Sequence, residues 1–179
     1  MSHKPPSVAD YAKRKQKQNE NRRKEYKRKK NKNKPITLKI IESYLKTSPI
    51  YIGAVFSDSF KNLIIKKEVF SLVVHCKSHW LCLYCTSKTF EIFDPLGFLQ
   101  KKNCSPSPFF TFLRSHVQGK ILYSNPQIQS KKSNTCGFYV IIFLRMRELG
   151  YSYFDILGLF SKNYSKNDKL VRKLVNKLK

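Results

Sequence analysis

The sequence predicts an α+β domain, a central and mostly antiparallel sheet flanked by helices, preceded by a basic arm. Three observations predict it. Short runs rich in β-branched and aromatic residues recur between positions 51 and 123. Helical periodicities lie on both sides of that region, at 37–46 and beyond 135. Composition changes abruptly near residue 35, where lysine and arginine give way to apolar residues. The expected organisation is therefore an arm, 1–35, and one domain, 36–179.

The arm comes first in the chain. It holds 14 of the 36 Lys and Arg residues against three acids, Asp10, Glu20 and Glu25, a net charge of +11. Almost nothing in it is large and apolar, so it cannot bury enough surface to offset its ordering entropy. A disordered segment is expected, part of which becomes helical on an anion. Arg22-Arg23-Lys24 and Lys27-Arg28-Lys29-Lys30 suit phosphate contact or nuclear import. A solubilising tail has the same composition. The rest of the chain, however, adds charge to a total of +25 rather than cancelling it, which favours a polyanion, nucleic acid foremost.

Pro35 closes the arm. Leu38, Ile40, Ile41, Tyr44 and Leu45 recur at helical spacing, so 37–46 reads as a short amphipathic helix ended by Pro49. Residues 51–56 read as an extended segment containing Gly53. Residues 69–76, 79–85 and 89–94 read as strands, and Pro95-Leu96-Gly97 as a turn. Residues 108–117 read as a helix with Phe109, Phe112 and Leu113 on one face, and 120–123 as a short strand. A polar loop, 125–134, leads to an apolar helix opened by Cys136. Two amphipathic helices follow, near 152–160 and 167–178. In the second, Leu170, Val171, Leu174, Val175 and Leu178 face inward and lysines outward.

The five cysteines form no zinc-type pattern. Cys82 and Cys85 have CxxC spacing, but they sit in an apolar strand with no second ligand pair. No metal is expected, and a reducing intracellular compartment fits. No secretory segment opens the sequence. The apolar run after Cys136 breaks at Arg145, short of a membrane span, so no membrane partner is expected.

Cys136 is the residue to test for chemistry. At the start of a helix it meets free N–H groups and the positive end of the dipole, which favour a thiolate, and Thr135 or Asn134 can cap the helix. Gly137 leaves room for another backbone to approach. A helical cysteine is ordinarily a small core residue, so a nucleophile also requires a base and a group to orient that base. His3 lies in the arm, and His116 ends a helix far from any cysteine in sequence. His75 and His79 remain, and His79 opens a strand, where a sheet presents side chains to a cleft. With Ser87-Lys88 as a two-residue turn, Thr86 pairs with Thr89 and Leu81 with Asp94. Asp94 is then a diagonal neighbour of His79, while Glu91 falls on the opposite face. A register slip of one residue would reverse this. Asp94 would hold the imidazole tautomer and stabilise the imidazolium. The Cys136 N–H can serve an oxyanion hole, with Gln129 or Gln127 adding a side-chain amide; residue chemistry alone does not separate the two. Trp80 either covers the imidazole or packs in the core.

In order, the residues are His79-Trp80-Leu81, then Phe90-Glu91-Ile92-Phe93-Asp94-Pro95-Leu96-Gly97-Phe98, then Gln129. Seven positions later stands Cys136, within Asn134-Thr135-Cys136-Gly137. This pattern resembles the adenovirus endopeptidase (adenain) family, with the related proteases of virophages and virus-like large DNA transposons. The order of residues is shared with ubiquitin-like-protein proteases of the same clan. Asp94 through Phe98, and Ser48 through Gly53, look more like the adenain branch. The resemblance covers roughly residues 47–179.

The resemblance implies a papain-like α+β fold with His79 as base, Asp94 as third member, Cys136 as nucleophile and Gln129, rather than Gln127, in the oxyanion hole. It implies a cysteine-type endopeptidase, a thiol protease, that cuts capsid and core precursors after small residues such as Gly during virion maturation. The chemistry would require no cofactor, with DNA as an activator. The expected substrates are viral precursor proteins, and the expected form is a monomer. The expected location is the virion and the host nucleus or viral factory. Adenovirus enzymes are also stimulated by a short peptide that bonds to a cysteine. No cysteine stands at the matching position here, and Cys104 lies before the 108–117 segment. Two other readings compete: a deconjugase for ubiquitin-like modifiers with the same chemistry, and a basic DNA-packaging protein on an inactive protease scaffold.

Overall fold

In a computed structural model of the chain, residues 15–24, 35–97, 112, 119–123 and 126–178 are described. The chain divides into two compact units, Met1–Lys34 and Pro35–Lys179. In the first unit, where disorder is expected, residues 15–24 form a helix, α1, with every residue exposed. Its Lys, Arg, Gln and Glu residues favour a helix but supply no apolar face to bury. Arg22, Arg23 and Lys24 lie at its end; Lys27, Arg28, Lys29 and Lys30 fall outside the described residues.

The second unit is built on a five-stranded sheet in the order β1-β2-β3-β4-β5. The strands are β1 (Tyr51–Phe56), β2 (Phe70–Cys76), β3 (His79–Cys85), β4 (Thr89–Phe93) and β5 (Lys120–Tyr123). The sheet is mixed rather than mostly antiparallel. The inner pairs β2–β3 and β3–β4 are antiparallel, while β1–β2 and β4–β5 are parallel. Connection length is the reason. Short turns at Lys77-Ser78 and Thr86–Lys88 close the two hairpins. Residues 57–69 and 94–119 are long enough for the dozen or so residues that a parallel crossover needs. Lys77 takes a left-handed φ of 57° in its turn. Gly53, at φ 124°, sits where the β1–β2 register shifts between Tyr51 and Ala54.

The three inner strands, β2 to β4, are buried on both faces. One face carries Val73, Trp80, Cys82, Tyr84 and Phe93 against the helices. The other carries Leu72, Val74, Leu81, Leu83, Phe90 and Ile92 with Phe60 and Phe112. Phe112 is the one described residue of the expected 108–117 helix; it is buried, and its ring lies 5.1 Å from that of Phe60.

Four helices cover the first face: α2 (Leu38–Leu45), α3 (Cys136–Glu148), α4 (Tyr153–Gly158) and α5 (Tyr164–Asn176). Helix α2 buries Ile41 and Leu45, one turn apart. Helix α3 is apolar nearly all round its first two turns and is enclosed by the sheet on one side and helices on the other. Phe93 and Phe143 stack at 4.2 Å and hold it to β4. Helix α4 opens with a capping box between Ser152 and Asp155. Helix α5 begins three residues before the predicted start because the Asn163 side chain caps it, accepting from Lys166 N–H at 3.1 Å.

Candidate active site

Sheet register places the first pair of groups. Cys82 lies opposite Phe93, Leu83 opposite Ile92, Tyr84 opposite Glu91 and Cys85 opposite Phe90, the pairing predicted from a Ser87-Lys88 turn. Continued to the strand ends, it brings Asp94 beside His79. His79 Nε2 lies 2.7 Å from Asp94 Oδ1, with the residues 3% and 1% exposed. Asp94 Oδ1 also accepts from Leu96 N–H at 2.8 Å, and Gly97 N–H closes the turn on Asp94 O at 3.0 Å. Gly97 takes φ 82°, a conformation glycine adopts without strain. The Pro95-Leu96-Gly97 turn therefore holds the carboxylate through bonds that do not involve the histidine.

Glu91, the competing acid, is on the helix-facing side. Arg147 Nη2 donates to its Oε1 at 3.0 Å, and Arg147 Nε approaches Oε2 at 2.8 Å as an ion pair off the hydrogen-bond axis. The guanidinium also lies 4.4 Å from the centre of the Tyr84 ring. Burial pushes the Glu91 carboxyl up, and Arg147 opposes that shift.

Cys136 opens α3 and is 7% exposed. Of the two predicted caps, Thr135 does not form one. Thr135 is the N-cap residue, but its φ and ψ of −102° and −2° are near-helical rather than extended, and it makes no side-chain cap bond. Its hydroxyl instead donates to Asp168 Oδ1 at 2.9 Å. First-turn N–H groups are thus left uncapped by the residue that ordinarily takes one.

A cavity of about 140 Å³ joins these elements; its walls include His79, Trp80, Gln129 and Cys136. Two larger cavities, of about 360 and 520 Å³, include none of these four. With Nε2 engaged by Asp94, His79 has Nδ1 left, and Cys136 shares the wall of the same cavity. Burial alone would lower the His79 pKa. Hydrogen bonds to Asp94 and Cys136, and their negative charge, outweigh it and raise the value to about 8.

Gln129 is 1% exposed; Nε2 donates to Ser133 O at 2.9 Å, and Oε1 is buried without a hydrogen-bond partner. A second N–H remains on Nε2. Gln127 is not on the cavity wall: its Nε2 donates to the Gln129 carbonyl at 2.7 Å. His75 is also off that wall, between Phe56 at 5.4 Å and Trp80 at 4.2 Å. Its pKa is lowered, first by burial and then by the charge of His79.

Trp80 packs in the core, as one of its two readings expected, and the imidazole its ring lies against is that of His75. It is 8% exposed in the core, and it lines the cavity. Its Nε1 donates to Ile36 O at 3.2 Å. Ile36 is the residue that sequence reasoning missed. It is 5% exposed and packs on Gly137, so what approaches that glycine is an isoleucine side chain rather than a backbone. The signal was the glycine itself, which announced a close neighbour without saying which.

No protein-family model and no curated protein matches the chain. Solved structures do match. ASFV pS273R protease aligns at a TM-score of 0.56 and 15% identity, over 76% of this chain and 66% of that one. The chain thus spans slightly under two thirds of that protein. ChlaDub1 of Chlamydia trachomatis aligns at 0.46 and 12% identity, over 79% of this chain and 73% of its own. SUMO protease Ulp1 aligns at 0.46 and 17% identity, over 82% of this chain and 80% of its own. The first likeness places this chain in the α+β fold of a cysteine protease.

Proposed function

We propose that this chain, whose fold is that of a cysteine protease, is a cysteine-type endopeptidase that cuts precursor polypeptides after small residues such as Gly. The observation that carries this is the buried 2.7 Å contact of His79 with Asp94, on a cavity that also has Cys136 and Gln129 in its wall. The Cys136 thiolate attacks the scissile carbonyl and forms the carbon–sulfur bond. The Cys136 N–H and the free Gln129 N–H hold the oxyanion. Imidazolium His79 gives its proton to the leaving amine as the carbon–nitrogen bond breaks. Neutral His79 then takes a proton from water, whose oxygen displaces the thiolate from the thioester. Asp94 keeps the ring oriented throughout. A cavity of about 140 Å³ walled by Trp80 and Leu96 fits small residues at the cleaved bond.

The natural substrates are, in this reading, capsid or core precursors of a virus or virus-like element, cut during virion maturation. The arm binds DNA through phosphate contacts from Arg22, Arg23, Lys24, Lys27, Arg28, Lys29 and Lys30, and DNA activates cleavage. The exposed basic helix α1 supports that part. A ubiquitin-like-modifier deconjugase is the second reading, since the same narrow cavity admits a modifier tail of small residues.

The test is cleavage of a peptide library containing Gly-Gly, with and without DNA, by wild type and Cys136→Ala. Cleavage that DNA accelerates and Cys136→Ala abolishes is expected. Cleavage that survives Cys136→Ala overturns the mechanism. Rapid reaction with a fluorogenic ubiquitin-like-modifier probe moves the reading to the deconjugase. Removal of residues 1–34 should weaken DNA binding and flatten its salt dependence while basal peptide cleavage persists.

A further inference from the structure

Two consecutive residues of α5 reach the residues that immediately precede the proposed oxyanion donor and nucleophile. Asn167 is 2% exposed, and every polar atom of its side chain is used. Its Nδ2 donates to Ile128 O at 2.8 Å and to Ser161 O at 2.8 Å. Its Oδ1 accepts from Ser161 N–H at 3.0 Å and from the Ser161 hydroxyl at 3.3 Å. Ile128 precedes Gln129. Next in the helix, Asp168 Oδ1 accepts from the Thr135 hydroxyl at 2.9 Å and lies 3.0 Å from the Tyr139 hydroxyl. Thr135 precedes Cys136.

The peptide unit between Ile128 and Gln129 is consequently held at both ends. Its carbonyl takes Asn167 Nδ2, with the Tyr139 hydroxyl 3.1 Å away, and its N–H donates to Pro95 O at 2.9 Å. A planar peptide gripped at both poles cannot rotate without breaking one bond, so the Gln129 Cα is fixed in direction. Pro95 itself follows Asp94. The neighbours of three proposed catalytic groups are therefore tied into one framework, and α5 supplies the far side of it.

We infer that Asn167 and Asp168 are positioning residues that set the two oxyanion donors relative to each other, through bonds other than the His79–Asp94 contact. This rests on the proposed protease reading. Oxyanion donors must be placed within about 0.5 Å to act. A loop from 126 to 135 that is tied only through its own turns would not hold Gln129 to that tolerance. Neither residue lines the cavity.

The experiment separates the oxyanion hole from the thiolate. Hydrolysis of a fluorogenic Gly-Gly peptide needs both; alkylation of Cys136 by iodoacetamide, a displacement at saturated carbon, needs only the thiolate. Asn167→Ala and Asp168→Ala should each lower kcat about 10–100-fold with little change in KM. The alkylation rate and its pH profile should stay at the wild-type values. Asp168→Asn keeps an oxygen acceptor and should restore kcat toward wild type. Thr135→Val removes the same bond from the other side with almost no change of shape, and it takes the place of any alanine variant that does not fold. Unchanged kcat in an active enzyme, or alkylation that falls in step with kcat, overturns the inference and leaves the protease reading intact. Peptide cleavage that survives Cys136→Ala overturns the reading and the inference together.

Discussion

Ile36 occupies the space beside Gly137: a Cβ on that glycine would stand 1.9 Å from Ile36 Cγ2. The contact joins the first residues of the second unit to the first turn of the helix that Cys136 opens. The Ile36 carbonyl, through Trp80 Nε1, also ties that segment to the residue after His79.

Gly137→Ala should therefore destabilise the protein by about 1–3 kcal/mol through overpacking, because the β-branched Ile36 cannot rotate its methyl away. Thermal denaturation measures this. The double variant Gly137→Ala with Ile36→Ala should recover part of the loss, and no recovery would mean that the strain lies elsewhere.

The raised His79 pKa has a fixed sign in stability. Folded protein holds that proton more tightly than the unfolded chain does, whose value is near 6.5. The stabilisation, about 2 kcal/mol for a rise to about 8, is complete below about pH 6.5 and is lost as pH climbs through 8. Denaturant titrations of wild type and Asp94→Asn should differ most at pH 6 and converge by pH 9–10. Peptide cleavage should decline above about pH 8 as the imidazolium deprotonates, with that limb moved to lower pH in Asp94→Asn.

Gln129 and Gln127 separate cleanly in the structure, and kinetics should follow. Gln129→Ala should lower kcat by about 10²–10³ with a smaller effect on KM, as expected for loss of one oxyanion donor. Gln127→Ala removes a hydrogen bond to the Gln129 carbonyl and should have the smaller effect. Equal losses would argue against a direct role for the Gln129 amide.

The Glu91–Arg147 pair lies away from the cavity, and its side chains are only 3% and 14% exposed. Glu91→Gln should cost about 1–3 kcal/mol, since it leaves the half-buried guanidinium without its counter-charge. The paired change Glu91→Leu with Arg147→Met should cost far less. Urea denaturation distinguishes the two outcomes, and peptide cleavage by the folded fraction should be unchanged in both.

Much of this site is legible in the chain because its parts obey local rules. Strand alternation and a two-residue turn are enough to place Asp94 near His79 and to send Glu91 to the other face. The start of an apolar helix is enough to place Cys136. Local rules fail where a residue has a choice of partners. Thr135 has the right chemistry for a helix cap, but a carboxylate 33 residues away takes its hydroxyl. The parallel outer strands escape an alternation argument, because parallel and antiparallel neighbours bury the same faces.

By itself, the sequence determined the five strands, helices α2 to α5, the register of the β3–β4 hairpin and the basic character of the arm. These follow from periodicity, turn length and composition, which act over a few residues. Only the tertiary structure decided that Ile36 fills the gap at Gly137, and that Asn167 and Asp168 brace the loop from 126 to 135. Each of those is a contact between distant segments. Nothing in a local pattern encodes it, because it exists only once packing has brought the two surfaces together and left every buried polar group to find a partner.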